Sequence, residues 1–515
     1  MRKTTLALTI GAFLAAAATP AAQAADLWDI YQLAVKNDPT FQQAQANYEA
    51  TTENKAIARA GYLPNISLNG QRSGSTAYGT QLTAEPGATP TSPPVFVNQY
   101  ATIPGHDTQY GVKLTQAIFN WASWKAMDQA DAQAAQADAQ FTAAQEDLIQ
   151  RTATAYFNVL NARDTLKADR AATDANSKQL EQAREKYQVG MSAITDVENA
   201  QAAYDQSVAN LIAAQQQVIT TEEQLRTIIG QPVGQLMEPS VDMPLRTPNP
   251  DSAQQWVTQA LKQNPNVLAA QSGADAADAG IGIKRAQELP TLTGSYTYGR
   301  DNSSGNPFST YDIRQRQWML TASFPIFSGG GVNAQVSQAQ AQYRAAIANL
   351  SLVSRQTEQQ ARTAYLGVLT GISQVTSLRQ SVKSNQTSMD ATQTGMEVGT
   401  RTIVDVLTAR QNLLTAETSF SNARYTYLEN LLTLKQSAGI LTEDDVKQVN
   451  ALLQVPAAPA DMSVPASSVD MGAPGASTVA APAGVTNPTS MPSAGTAMPP
   501  AAATGTAPAN TPPKR

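Results

Sequence analysis

Residues 120–189 contain neither glycine nor proline, and residues 191–229 again contain neither. Glycine and proline are the residues that most readily end a helix, so an unbroken run of this length reads as one very long helix. At 1.5 Å per residue it would reach roughly 105 Å. Helices of ordinary globular domains run about 8–20 residues. Such a chain cannot be wrapped around one compact core, and a coiled coil or helical array is required.

The second half repeats the arrangement. Residues 332–394 contain no proline and only Gly367 and Gly371, and residues 400–438 contain neither type. Counting alternately three and four from Ile194 to Ile229 gives eight apolar residues in eleven, and the same count from Ile403 to Ala438 again gives eight in eleven. A 3.5-residue period belongs to a left-handed coiled coil. In the second copy Leu407, Leu414, Leu428 and Leu432 fall outside that seam. They predict a second apolar edge, suited to a ring of helices.

Before each long helix the period changes to two. Ile66 and Leu68 alternate with polar neighbours, as do Tyr110, Val112 and Leu114, then Tyr296 and Tyr298, then Trp318, Leu320, Ala322 and Phe324. Each stretch predicts a strand with one apolar and one polar face. Each half thus carries two strands, joined by a segment rich in Gly, Ser, Thr, Asn and Pro.

The duplication extends to short motifs. "NDPTFQQAQ" returns as "QNPNVLAAQ", "GYLPNIS" as "QELPTLT", and "TATAYFNVL" as "ARTAYLGVL". "VGMSAITDVENA" from Val189 returns as "VGTRTIVDVLTA" from Val398, each with an aspartate in an otherwise apolar stripe. The order helix, strand, strand, very long helix, turn, helix therefore occurs twice. Residues 25–235 form the first repeat, 236–250 a linker and 251–454 the second.

Residues 1–24 have the layout of a cleavable secretory signal, with Arg2 and Lys3, an apolar run and Ala22-Gln23-Ala24. Nothing later offers the roughly 18 consecutive apolar residues of a membrane-spanning helix. Residues 455–515 are nearly all Ala, Pro, Ser, Thr, Gly and Met, a composition that predicts a disordered tail. The chain has no cysteine, and its single histidine, His106, reads as a solvated loop residue. No disulfide framework, thiol chemistry or clustered metal site is therefore expected. A net charge of −6 with both signs dispersed leaves no basic footprint for nucleic acid. "SGGGVNAQ" lacks the lysine of a phosphate-binding loop, so no cofactor and no enzymatic activity are predicted.

Amphipathic strands in an exported protein without a spanning helix suit an outer-membrane barrel, whose outer face meets lipid and whose inner face lines water. In lipid every backbone donor and acceptor must be paired, so the barrel must close. Four strands are too few, since single-chain barrels start at about eight. Three chains would supply twelve strands and twelve helical segments.

The two repeat-ending strings, "YQVGMSAITDVENAQAAYDQSVANL" and "VGTRTIVDVLTARQNLLTAETSF" with their continuations, resemble the TolC family of outer-membrane efflux channel proteins. The likeness runs from about Asp26 to Leu453. It implies a mainly α fold with a transmembrane β part. Long coiled-coil hairpins would form an α-barrel, and four strands per chain would enter a trimeric, 12-stranded β-barrel. It also implies a homotrimer that meets outer-membrane lipid, a periplasmic adaptor and an inner-membrane efflux or ABC transporter. Such a channel passes small molecules or proteins outward. Carried over by position, Arg401 becomes a gate residue, Thr195 and Asp196 its acceptors, and Asp405 a ring facing the bore. Two positions depart from that pattern: the family's second ring aspartate is Thr408 here, and a gate tyrosine is Met396. For Asp196 the residue pattern also allows simple helix capping, because acids in a first turn meet the helix dipole favourably. A trimeric coiled-coil spacer with soluble strands and a periplasmic adaptor are the competing classes; the adaptor would need a lipoyl-like β domain, which the sequence does not show.

Overall fold

Elements follow in the order α1 (Leu27–Asn37), α2 (Pro39–Ala60), β1 (Asn65–Glu85), β2 (Val95–Phe119), α3 (Trp121–Gln188), α4 (Ile194–Ile229) and β3 (Met237–Pro239). The second repeat has α5 (Ala253–Gln263), α6 (Pro265–Arg285), a 3-10 turn, β4 (Thr291–Ser304), β5 (Tyr311–Ser323), α7 (Gly331–Glu397) and α8 (Ile403–Ser437). It is followed by α9 (Glu443–Asn450) and β6 (Leu453–Pro456). This computed structural model describes residues 25–85, 93, 95–304 and 310–456, all within the first of two units into which the chain divides at Ser463. The expected signal segment, and the expected tail beyond Pro456, lie outside the described residues.

The long runs are continuous helices of 68 and 67 residues. Their glycines mark close approach: a Cβ on residue 371 would sit 3.5 Å from Tyr427 of α8. Each repeat opens with two helices where the sequence pattern predicts one. Pro39 and Pro265 are the cause, since proline has no N–H to continue a helix but is tolerated as its first residue. The preceding side chains then cap the new helix: Asp38 accepts from the Thr40 and Phe41 N–H groups at 3.2 and 3.3 Å, and Asn264 from Asn266 at 2.9 Å.

The buried seam of α4 differs in detail from the predicted heptad. Leu211, Val218 and Leu225 are buried as expected, but the alternate positions are filled by Ala200, Ser207, Ala214 and Thr221. Small side chains let α4 lie close to α3. The second edge of α8 is present at Leu428 and Leu432, where α8 packs on α3 as well as on α7.

The main core sits midway along the long helices. Leu148, Tyr156, Phe157 and Leu160 of α3 meet Val368 of α7, Tyr427, Leu428 and Leu432 of α8, and residues of α1 and α9. Tyr156 places its hydroxyl on the Met237 backbone, donating to O at 2.6 Å and accepting from N at 3.0 Å. Tyr427 does the same at Arg246, at 3.1 and 2.8 Å. These bonds hold the expected linker against the helices. Its strand β3 pairs antiparallel with β6, which extends regular structure to Pro456, the second residue of the expected tail.

The other sheet has the order β1-β2-β4-β5, antiparallel throughout. Its strands are much longer than the alternating motifs alone suggest, 21 and 25 residues in the first hairpin. His106 therefore lies in β2, opposite Gly74 and Ser304, and not in a loop. The nearby Pro104 lies beyond the last β2–β4 pair among the described residues, His106 with Ser304, where a strand without a neighbour on that side tolerates proline.

Candidate functional site

The two ends of each hairpin define two places where the molecule can act: the helix tips and the four-stranded sheet. At both tips the long helix ends in the same backbone motif. Gly190 and Gly399 have φ of 76° and 78°, a left-handed conformation that glycine adopts without penalty. Met191 N–H bonds to Lys186 O at 2.8 Å and Gly190 N–H to Tyr187 O at 3.0 Å; Thr400 and Gly399 repeat this with Gly395 and Met396 at 2.8 and 3.1 Å. This is the Schellman arrangement, which satisfies the last carbonyls of a helix.

The helices that restart there are capped differently. In α4 the capping position is Ala193, with no side-chain bond, and Asp196 accepts from the Ser192 hydroxyl at 2.7 Å. In α8 Thr402 and Asp405 form a reciprocal capping box. Asp405 Oδ2 accepts from the Thr402 N–H and hydroxyl, both at 2.9 Å, and Thr402 Oγ1 accepts from the Asp405 N–H at 3.3 Å. Those bonds, and secondarily the charge of Arg401, hold the Asp405 carboxyl below the usual carboxylate range. Asp196 lies in the first turn of α4, where an acid meets the helix dipole favourably, and is held by a serine outside its helix; Asp405 adds to the same placement a capping box with Thr402.

Arg401 is exposed and folds back over α7. Its Cγ would lie 2.7 Å from a Cβ on residue 395, so Gly395 leaves the space it occupies. Thr195 is exposed as well. Within one chain Arg401 makes no ion pair with Asp196 and no hydrogen bond to Thr195 among the described residues. The two tips are instead tied by apolar and weakly polar contacts. Ile403 packs against Leu180, Ala183 and Ala200, and Gln179 Nε2 donates to Met396 Sδ at 3.9 Å. Val189, Met191 and Val398 are left exposed at the ends.

In the sheet, strand register separates two faces. Ile66, Leu114, Tyr296 and Trp318 stand in one row across the four strands, and Leu68, Val112, Tyr298 and Arg316 in the next row on the same side. The intervening rows are polar: Ser67, Lys113, Thr297 and Gln317, then Gln71, Gln109 and Asp301, with Ile313 and Met319 as apolar exceptions. The apolar side is exposed, with Trp318, Leu320 and Phe324 among the most accessible large side chains. Alternation of this kind marks a sheet with lipid on one face and water on the other. No helix among the described residues is long and apolar enough to cross a membrane.

The model of the outer membrane efflux protein family matches residues 30–231 and 256–440, covering both repeats and both tips. The chain belongs to the outer membrane efflux protein family. It is 33% identical to outer membrane protein TolC of Escherichia coli (strain K12) over 449 residues, which is 85% of this chain and 86% of that protein. It is 27% identical to the alkaline protease secretion protein AprF of Pseudomonas aeruginosa over 442 residues, 84% of this chain and 88% of AprF. Two solved structures share the fold. The CmeC outer membrane channel of Campylobacter jejuni aligns with a TM-score of 0.66 at 20% identity, over 83% of this chain and 90% of CmeC. The outer membrane protein VceC of Vibrio cholerae aligns at 0.65 and 19%, over 80% and 96%. Like other outer membrane efflux proteins, this one is a channel-tunnel of the outer membrane that extends into the periplasm and serves efflux and secretion. Its family is one of channels, not of enzymes.

Three residues at the tips went unread in the sequence. Thr402 was legible, because Thr-x-x-Asp before an apolar run is a capping signature. Ser192 and Gly395 carried no such signal, since their roles depend on where Asp196 and Arg401 come to lie.

Proposed function

We propose that three copies of the chain close into the tunnel and that their hairpin tips gate its periplasmic end. The observation that carries this is the pair of free edges, β1 and β5, on a sheet whose exposed face is apolar. Unpaired backbone groups are not tolerated in hydrocarbon, and four strands cannot close on themselves. Pairing β5 of one copy with β1 of the next removes every edge, and three copies give a barrel of twelve strands. Helix α2 has no buried residue within one chain, as expected of a helix covered by a neighbouring copy.

At the tips Arg401 acts as a latch on Thr195 and Asp196 of an adjacent copy, and Asp405 forms a charged ring around the bore. A partly exposed ion pair contributes about 0.2–1 kcal/mol, so three equivalent latches hold the closed state by roughly 1–3 kcal/mol. A docking partner can supply that much differential binding energy. The channel receives its cargo from an inner-membrane transporter through a periplasmic adaptor, and its apolar face meets outer-membrane lipid. Similarity to AprF, a protease secretion protein, supports proteins as cargo beside small molecules. A soluble spacer would have no use for an exposed row of Trp318, Leu320 and Phe324.

Extraction from outer membranes in mild detergent should yield a species of three chains that dissociates only on heating and inserts into planar bilayers. A monomer that forms no conducting unit would sink the proposal.

A further inference from the structure

The apolar face of the sheet is not apolar along its whole height. Moving from the helical end toward the hairpin loops, the row of Trp318 gives way to the row shared by Tyr298 and Arg316, then to the row of Arg300 and Arg314, then to the row of Arg72 and Asp312. Register places all four arginines on the same side as Ile66, Leu68 and Trp318. Asp312 is the only acidic residue on that side of the described strands. The opposite, polar side has the reverse balance, with Lys113 against Asp107 and Asp301.

The arginines are unequally engaged. Arg300 is spent on Asp312, donating from Nε at 2.6 Å and also from Nη2, and reaches the Tyr110 hydroxyl at 3.5 Å. Arg316 lies over the Tyr298 ring, 5.6 Å from its centroid. Arg72, Arg314 and Arg316 have no hydrogen bond or ion pair among the described residues, and all three are exposed. Charges balanced only by a ring face, as at Arg316, or by the unbonded field of Asp312, as at Arg314, are unfavourable at the edge of a hydrocarbon band unless a counter-charge lies outside the protein.

Their height identifies that counter-charge. Arg300 is nine residues along β4 from Thr291, where the strand leaves the helical part. At about 3.4 Å per residue this is roughly 30 Å along the strand. With the strand tilt of about 35–45° usual in barrels, it becomes roughly 23 Å along the membrane normal, close to the top of an apolar band about 25 Å tall. The groups sit where the head groups of the outer leaflet lie, and the negative charge of those head groups attracts arginine at the surface.

We infer that Arg72, Arg314 and Arg316, braced by the Arg300–Asp312 pair, form a binding site for the phosphate-bearing head groups of outer-leaflet lipid. This rests on the reading of the sheet as a barrel wall facing lipid. Tyr110 and Tyr298 supply an amphipathic surface beneath the site, and the long arginine stems lie along it while their charged ends reach upward. The lipid so held is part of the channel's outer surface, and it is selected by the net negative charge of its phosphates.

The test compares binding of diphosphoryl lipid A, monophosphoryl lipid A and a zwitterionic phosphatidylcholine to the detergent-solubilised channel by native mass spectrometry. Each arginine near an anionic surface contributes about fivefold in affinity. Diphosphoryl lipid A should therefore bind the wild type best, and R314Q/R316Q should lose roughly 10- to 30-fold of that affinity. R314K/R316K should keep most of it, and Lys113→Gln on the inner face should change nothing. Equal binding of all three lipids, or unchanged binding by R314Q/R316Q, would overturn the site. Loss in the lysine pair equal to that in the glutamine pair would also overturn it, because charge would then not be the determinant. Insertion of the same preparations into planar bilayers reports the barrel assignment independently of lipid A.

Discussion

At the end of α3 the chain turns through Gly190 and restarts at Ile194; at the end of α7 it turns through Gly399 and restarts at Ile403. The backbone hydrogen bonds of the two turns are nearly superimposable in pattern and length. Their side chains are not. The first tip has an uncapped helix start and an aspartate tethered by Ser192. The second has a capping box, a free arginine and a glycine that makes room for it. Duplication thus preserved the element that ends a long helix and left the charges free to diverge. What differs between the tips is what the proposed gate would use: a donor, Arg401, on one and acceptors, Thr195 and Asp196, on the other.

The most direct effect comes from removing the donor. Arg401→Ser should raise single-channel conductance in planar bilayers at least about twofold if Arg401 is a latch on a neighbouring copy; an unchanged conductance would leave the two tips equivalent. Next is the proposed charged ring. Asp405→Ala should weaken block of the pore by multivalent cations by about tenfold, whereas Asp196→Ala should affect block far less.

The pH dependence of that block has a definite sign. The Asp405 carboxyl is held low by the Thr402 N–H, then by the Thr402 hydroxyl and Arg401. Its charge, and the stability its bonds confer, are therefore present above the ordinary value of about 3.9 and are lost only as pH falls through the lower folded value. Block that disappears already near pH 5 would place the ring elsewhere.

Smaller effects test the shared backbone and the unequal caps. Gly190→Ala and Gly399→Ala should each destabilise the chain by about 1 kcal/mol through left-handed strain, equally at the two tips by thermal melting. Thr402→Ala should cost about 1 kcal/mol by removing a cap, while Ala193→Ser should stabilise by roughly 0.5–1 kcal/mol by adding one. Stabilisation by both substitutions, or by neither, would contradict the difference in capping.

Along the length of the hairpins a second contrast explains which features were readable. Near the middle, Tyr156 and Tyr427 bind backbone atoms 81 and 181 residues away in sequence. No local pattern announces such bonds, and residues 236–250 accordingly read as a linker when they are in fact anchored to the core. Toward the tips the packing is local and repetitive, and the heptad and the repeated glycine were visible without coordinates. Even there the seam was displaced: Ala200, Ser207, Ala214 and Thr221 are buried because α3 approaches closely, and closeness is not a property of α4 alone. The strand reading failed in the same direction. Alternation of large apolar residues identified the membrane-facing rows, but the Gly-, Ser- and Thr-rich continuation of β1 and β2 pairs through its backbone, which carries no hydrophobic signal.

The sequence by itself determined the long helices, the twofold repeat, the four amphipathic strands and the residues at which each hairpin turns, because these depend on propensity and period over neighbouring positions. Only the tertiary structure decided that Asp405 joins a capping box while Asp196 is tethered by Ser192, that Arg401 meets no acceptor among the described residues of its own chain, and that four arginines share one face of the sheet. Each of those outcomes depends on distance or register between segments far apart in the chain, and periodicity along one segment contains no information about either.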